Sequence, residues 1–288
     1  MMQGPSRRRG FTLIELVVTL TISTVVVAFA AIFVRVPVQG FMDQSRRVRL
    51  VDAAESAVQR MKRDVRLALP NSVRVRSSGS IVALEMLATS DGGRYRAQPP
   101  GGAAATLDFS AADGSFNVIG DFVRTAKPFS STTNYLSVYN VGVPGADAWE
   151  LANVITPPGT QIDIVDAALP GEDRVTLSPA FQFAWGSPGQ RIFLVDGPVS
   201  YLCDTTAETL TRYFGYSIAT AHAARDSAAE LLAAGATADV VADRVSSCSF
   251  LYTAGTAERA AVLTTQVAIT EAGESVELLV QTHVANTP

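Results

Sequence analysis

The chain has 288 residues, 48% of them hydrophobic and 17% charged. That balance is globular with room for a real core and one membrane segment besides, and it excludes a disordered or collagen-like chain. The formal net charge is -4, and an acidic balance weighs against nucleic acid as the main partner, so none is expected.

The amino terminus opens with Arg7-Arg8-Arg9-Gly10-Phe11-Thr12-Leu13-Ile14-Glu15-Leu16, a basic leader running through one glycine into an apolar segment. From Phe11 to Val34 the only ionisable side chain is Glu15. A carboxylate at membrane depth is costly and demands a partner. As a helix, residues 11–34 span roughly 36 Å, enough to cross a hydrocarbon core of about 30 Å with some tilt. Two plainer readings of the segment are an ordinary secretory signal peptide and a signal anchor that happens to carry an acid. An ordinary signal has a shorter apolar region of about 7 to 15 residues followed by a small-residue cleavage site, whereas here the stretch is longer and the small residue precedes it.

This arrangement resembles the processing site of type IV prepilins and type II secretion pseudopilins. The resemblance implies that prepilin peptidase cuts between Gly10 and Phe11, that the new amino terminus of Phe11 is N-methylated, and that Glu15 guides subunit assembly. Cleavage would create a cationic amine at Phe11 in the same apolar layer as anionic Glu15, and pairing an amine of one subunit with the carboxylate of its neighbour recovers desolvation cost. Removing Arg7, Arg8 and Arg9 from the net charge of -4 leaves -7 on side chains. Arginine distribution does not orient the segment, because Arg35, Arg46, Arg47 and Arg49 oppose the leader. The family's processing implies a cytoplasmic amino terminus, a single pass of the bacterial inner membrane and a periplasmic body that later enters a pilus.

Past the membrane, Val51, Ala54, Val58, Met61, Val65 and Ala68 recur at spacings of three and four, which lays one apolar stripe along an amphipathic helix. Asp52, Glu55, Gln59, Lys62, Arg63 and Arg66 lie opposite and read as a solvated face. Pro37 and Gly40 predict a kink or local melting between the two halves. Pro70 predicts the end of the helix.

Residues beyond 70 read as β-rich. Val73 and Val75, then Ile81 to Met86, are short strands around a Ser77-Ser78-Gly79-Ser80 loop. Pro99-Pro100-Gly101-Gly102 and the three alanines after it are a loop. From 106 to 180 short apolar runs alternate with Gly, Pro, Asp and Asn, among them Tyr135 to Val141 and Arg174 to Leu177. Strands are expected at 190–195 and 199–204 with an Asp196-Gly197-Pro198 turn between them, and again at 209–218. Ala219 to Ala234 predicts an alanine-rich helix stopped by Gly235, and Ala238 to Val245 a second short helix. A strand at 249–253 and a pair at 261–270 and 275–284, joined by Glu271-Ala272-Gly273-Glu274, complete the chain.

Cys203 and Cys248 are the only cysteines. In an exported domain an even pair reads first as a disulfide, with two free buried thiols as the alternative. Such a bridge removes about 4 kcal/mol of unfolded-chain entropy on the usual model. No Gly-x-Ser-x-Gly, His-Glu-x-x-His or phosphate-cradling glycine motif is present, so no catalytic residue and no cofactor is assigned and the chain is not read as an enzyme. His222 and His283 read as structural or surface residues. Asp163 with Asp166, Glu172 with Asp173, and Asp239 with Asp243 are acid pairs without EF-hand spacing, and no metal is assigned to them.

Further runs at 38–41, 50–54, 66–74, 191–201 with Cys203, 210–216, 245–250 and 283–288 are similar to the biogenesis proteins of the mannose-sensitive haemagglutinin (MSHA) pilus, relatives of the J-type pseudopilins and W-type minor pilins. Residues 92–189 contribute little to this likeness. It implies an α+β fold, a long amino-terminal helix packed on a β-rich pilin-like body. The expected parts are a leader at 1–10, a transmembrane helix at 11–34, its amphipathic continuation at 35–69 and a periplasmic minor-pilin domain at 70–288. The expected partners are prepilin peptidase, other major and minor pilins, the inner-membrane pilus assembly platform and inner-membrane lipid. A J-type secretion pseudopilin and a pilus-tip adhesin or binding module are the alternatives.

Overall fold

The structure, a computed structural model, describes residues 10–98, 106–255, 259–285 and 287. Residues 1–9 of the expected leader and the loop expected at 99–105 lie outside them. By its contacts the chain divides into two compact units, Met1–Arg49 and Leu50–Pro288.

Helix α1 runs from Leu13 to Arg66. It passes through Pro37 and Gly40 without a break, so the expected local melting does not occur. Proline removes a single amide donor, and the turns on either side keep their own ladder. Leaving α1, the chain returns immediately against the sheet, where Leu69 N–H donates to Leu87 O at 2.7 Å and Thr89 N–H to Leu67 O at 2.9 Å.

Strands β1 (Arg74–Ser78) and β2 (Ile81–Tyr95) form the expected hairpin. β3 (Asp113–Ile119), β4 (Phe129–Ser131), β5 (Tyr135–Ser137), β6 (Gln161–Asp166) and β7 (Glu172–Phe181) fill the middle of the chain. β8 (Arg191–Asp204) and β9 (Thr209–Phe214) follow, then the short helix α2 (Ala228–Ala233) and β10 (Thr237–Asp243). β11 (Val245–Thr253), β12 (Ala261–Glu271) and β13 (Glu274–Val284) end the chain. The large sheet has the order β10-β9-β8-β2-β3-β7-β6-β4, with β1 also on β2 and β5 also on β8, and the small sheet is β11-β12-β13. The α+β layout is the one expected.

Three further expectations, each about an element past residue 190, fail. Asp196-Gly197-Pro198 is no turn but lies within the single strand β8. Gly197 takes φ +131°, and the three residues face the gap between the β5 pairing, which stops at Val195, and the β9 pairing, which starts at Val199. Proline is tolerated at such an interruption. The 219–234 helix shrinks to one 3-10 turn at His222–Ala224 and the six residues of α2. Arg74 donates to the carbonyls of Ala219 and Thr220 at 2.8 Å each, occupying acceptors that a helix would offer to amides four residues on. Residues 238–245 are mainly strand β10, because Val240 and Val241 are β-branched and β9 offers an open edge.

The apolar stripe is buried as expected at Ala54, Val58, Met61 and Val65 of α1 and at Ala68 just past its end. Val51 is exposed and Leu50 takes its place. Residues 50–68 share one core with Leu84 and Met86 of β2, Tyr201 and Cys203 of β8, and Leu263, Val267 and Ile269 of β12. Each such aliphatic side chain contributes about 1.5 to 3 kcal/mol on burial. Leu87, on the opposite face of β2, joins Trp149, Ile155 and Val195 in another core. β2 is thus covered on both faces and carries a near-continuous apolar run from Ile81 to Leu87.

Candidate functional site

Thr12 stands immediately before α1 and Glu15 three residues later, a Thr-x-x-Glu pattern that predicts a helix start. Thr12 Oγ1 accepts from Glu15 N–H at 3.3 Å and donates to Glu15 Oε2 at 3.4 Å. The acid therefore sits in the first turn, where the helix dipole favours negative charge. Thr12 was not singled out from the sequence, although this spacing marks it. Gly10 is exposed, and a Cβ built there would meet nothing within 4 Å. Nothing in the described residues of the chain itself requires a glycine at that position.

The surface that follows is apolar and open. Every large aliphatic or aromatic side chain from Phe11 to Val34 is at least 48% exposed, and the most apolar window of the helix has mean hydropathy 2.6 with none of it buried. The hydroxyls of Thr19, Thr21 and Thr24 donate back to carbonyls three or four residues earlier, which satisfies them without water. An apolar helix of this length and position fits a single-pass membrane anchor.

In the globular unit, Cys203 of β8 and Cys248 of β11 form a disulfide with Cα atoms 6.4 Å apart. It joins the large sheet to the small one. Helix α1 is tied to the large sheet by charge: Asp64 Oδ2 accepts from Tyr201 OH at 2.8 Å and from Arg212 Nε at 2.6 Å, and Arg60 reaches Asp239 at 2.9 Å. Asp64 and Arg60 border the buried stripe and were not singled out from the sequence; the signal is their position flanking it at i and i+4.

A second buried polar cluster surrounds Glu85 of β2. Arg74 Nε donates to Glu85 Oε2 at 2.7 Å, Tyr216 OH to Oε1 at 2.8 Å, and the Arg74 guanidinium lies 3.5 Å over the Trp149 ring. Burial raises the Glu85 pKa, with Arg74 opposing the shift. His222 Nε2 is 3.7 Å from Glu85 Oε2, too far for a hydrogen bond. Burial, reinforced by Arg74, lowers the His222 pKa from 6.5 to about 4, so the imidazole is neutral at pH 7. Through Arg74 and its bonds to the Ala219 and Thr220 carbonyls, this cluster anchors the segment that follows Tyr216. His283 is exposed on β13.

The acid pairs noted in the sequence are engaged elsewhere. Lys127 Nζ bridges Asp166 at 2.7 Å and Asp173 at 2.6 Å. Glu172 pairs with Arg96, whose guanidinium lowers its pKa, and accepts from Asn117. Asp163 accepts from Ser130 and Gln161, and Asp243 pairs with Arg244. Among the described residues no group of three His, Cys, Asp or Glu side chains is arranged to hold a metal ion.

Residues 5–31 match the family model described as the prokaryotic N-terminal methylation motif. No curated protein and no solved structure matches the chain. The motif supports a type IV pilin-like or pseudopilin-like protein, structural in kind, of the sort that prepilin peptidase processes and that assembles with other pilins.

Proposed function

We propose that the chain is a minor pilin of an MSHA-type type IV pilus, a counterpart of the biogenesis protein MshO. Prepilin peptidase removes residues 1–10 by cutting between Gly10 and Phe11, Phe11 is N-methylated, and residues 11–34 hold the subunit in the inner membrane with residues 70–288 in the periplasm. The assembly platform then extracts it, and it packs with other major and minor pilins into the filament or primes its growth.

The observation that carries this reading is the lone Glu15 at the head of the otherwise apolar stretch 11–34, whose large side chains are all exposed, inside a segment that matches the methylation motif. The glycine before it has no structural reason within the described residues, which accords with a requirement imposed by a processing enzyme. Thr12 gives Glu15 one long hydrogen bond. A carboxylate has about four acceptor sites, so most of its capacity stays open for the amine of a neighbouring subunit.

Two substitutions separate the steps. Gly10→Leu leaves the leader attached, read as a mature amino terminus that fails to begin at Phe11 by mass spectrometry. Glu15→Val is processed and methylated but is depleted from sheared filaments several-fold. A Glu15→Val subunit that enters filaments at the normal level overturns the charge-compensation step. Deleting the chain in its host, scored separately for surface pili and for protein secretion, distinguishes the pilus reading from a J-type secretion pseudopilin.

A further inference from the structure

We propose that the globular unit carries a basic groove that binds an extended acidic polypeptide segment with interspersed apolar side chains. The proposal does not depend on the pilin reading. A cleft of about 430 Å³ is lined by Gly92, Gly93, Arg94, Val123, Arg191 and Phe193, among others. A second, of about 330 Å³, shares Gly92, Val123 and Phe193 with it and adds Arg66 and Arg124. A third, also about 330 Å³, shares Arg66 and Leu67 with the second and adds Lys62 and Arg63. Shared walls make these one continuous groove along the end of α1 and the upper part of β2.

Six cations line it: Lys62, Arg63, Arg66, Arg94, Arg124 and Arg191. Among the described residues none of them makes an ion pair; Arg94 donates to Gln190 Oε1 and Arg191 to Thr287 O. Elsewhere in the unit Arg60, Arg74, Arg76, Arg96, Lys127 and Arg212 are each neutralised by a carboxylate. Among the described residues only two acids line these three clefts. Asp91 is buried and accepts from the amides of Gly92, Arg124 and Thr125, and Asp121 lies 3.9 Å from Lys127. The unpaired cations therefore face space that a string of anionic groups would fill. A fourth cleft, of about 610 Å³, shares Gln59 and Arg63 with the third and adds Asp52 and Glu55, so the groove turns acidic at that end and its basic stretch begins at Lys62.

The floor selects the kind of anion. It is formed by aliphatic groups of Leu67, Ala68 and Val123, the last 81% exposed, and among the described lining residues Phe193 is the one aromatic ring. Single-stranded nucleic acid is held on successive aromatic platforms, which this floor lacks. A polypeptide alternating carboxylates with small apolar side chains matches both the rim and the floor.

The test uses the full chain in detergent micelles and a fluorescent peptide of alternating glutamate and valine, followed by anisotropy over a range of salt. Saturable, salt-weakened binding is expected. The combined variant Arg66→Glu, Arg124→Glu, Arg191→Glu should weaken it by about tenfold or more, since three rim contacts of several tenths of a kcal/mol each sum to that order. The triple reversal Arg35→Glu, Arg47→Glu, Arg49→Glu, outside the groove, should change it by less than about twofold. An unchanged unfolding midpoint shows that the groove variant folds, and the neutralising set Arg66→Gln, Arg124→Gln, Arg191→Gln replaces it should it not. No binding, equal binding of a serine-valine peptide, or equal loss in the control reversal overturns the proposal. So does tighter binding of oligothymidylate or phosphatidylglycerol vesicles through the same three arginines.

Discussion

Glu15 and His222 are two ionisable groups that lack full partners, and their settings give them opposite consequences. Glu15 sits on an exposed helix turn with one long bond from Thr12, so its remaining capacity is available to another chain. His222 is enclosed, its side chain 11% exposed and its Nε2 without a hydrogen bond among the described residues. Arg74 and Arg76 beside it oppose protonation and Asp226 favours it, with burial dominant. Because its folded pKa of about 4 lies below the ordinary 6.5, the unfolded chain binds the extra proton between those values. Stability is therefore lost as pH falls from about 6.5 to about 4, by roughly 2 to 3 kcal/mol. Glu85, raised by burial, acts with the opposite sign, so total stability is the wrong readout. The difference between the wild type and His222→Gln isolates the histidine: the wild type should lose ground to the variant across that window in urea midpoints, and a pH-independent difference contradicts the assignment.

At the scale of elements, β2 shows how a strand survives two glycines. The Asp91-Gly92-Gly93 run carries the composition of a turn, yet β2 continues through it to Tyr95. A Cβ at Gly93 would lie 2.4 Å from Val118 Cγ1 of β3, and one at Gly92 3.2 Å from the Phe193 ring. The glycines therefore allow close approach of neighbouring strands and side chains. Gly93→Ala should cost about 1 to 3 kcal/mol of stability, read by urea denaturation of the full chain; a neutral result would show that Val118 moves aside freely. Elements whose signal is local were legible without the fold. The β12–β13 hairpin is one, where Ala272 and Gly273 take φ +50° and +83° as a two-residue turn requires, and the stripe of α1 is another. The alanine-rich segment and β10 were not legible, because Arg74 and the open edge of β9 outbid weak helix propensity from positions remote in sequence.

In the globular unit as a whole, the small sheet and the large one share a core with residues 50–68 of α1, and the Cys203–Cys248 bridge spans 45 residues between them. Replacing both cysteines by serine should lower stability by about 2 to 4 kcal/mol, measured by denaturant unfolding with and without reductant. Reductant should shift the wild type alone. If the two proteins unfold at the same denaturant concentration under oxidising conditions, the bridge contributes nothing to holding the sheets together.

The amino-acid sequence by itself determined the features set by nearest neighbours along the chain: the apolar segment with its single acid, the amphipathic turns that follow, the terminal hairpins, and a cysteine pair suited to an oxidising compartment. These are legible because periodicity, chain length and the cost of charge in an apolar layer act over a few helical turns. Tertiary structure alone decided which polar groups meet. Asp64 finds Tyr201 and Arg212, Arg74 unwinds a segment 145 residues away, and six cations are left unneutralised along one groove. Such meetings depend on strand order and register, which arise from the packing of distant segments and leave no periodic trace in the chain.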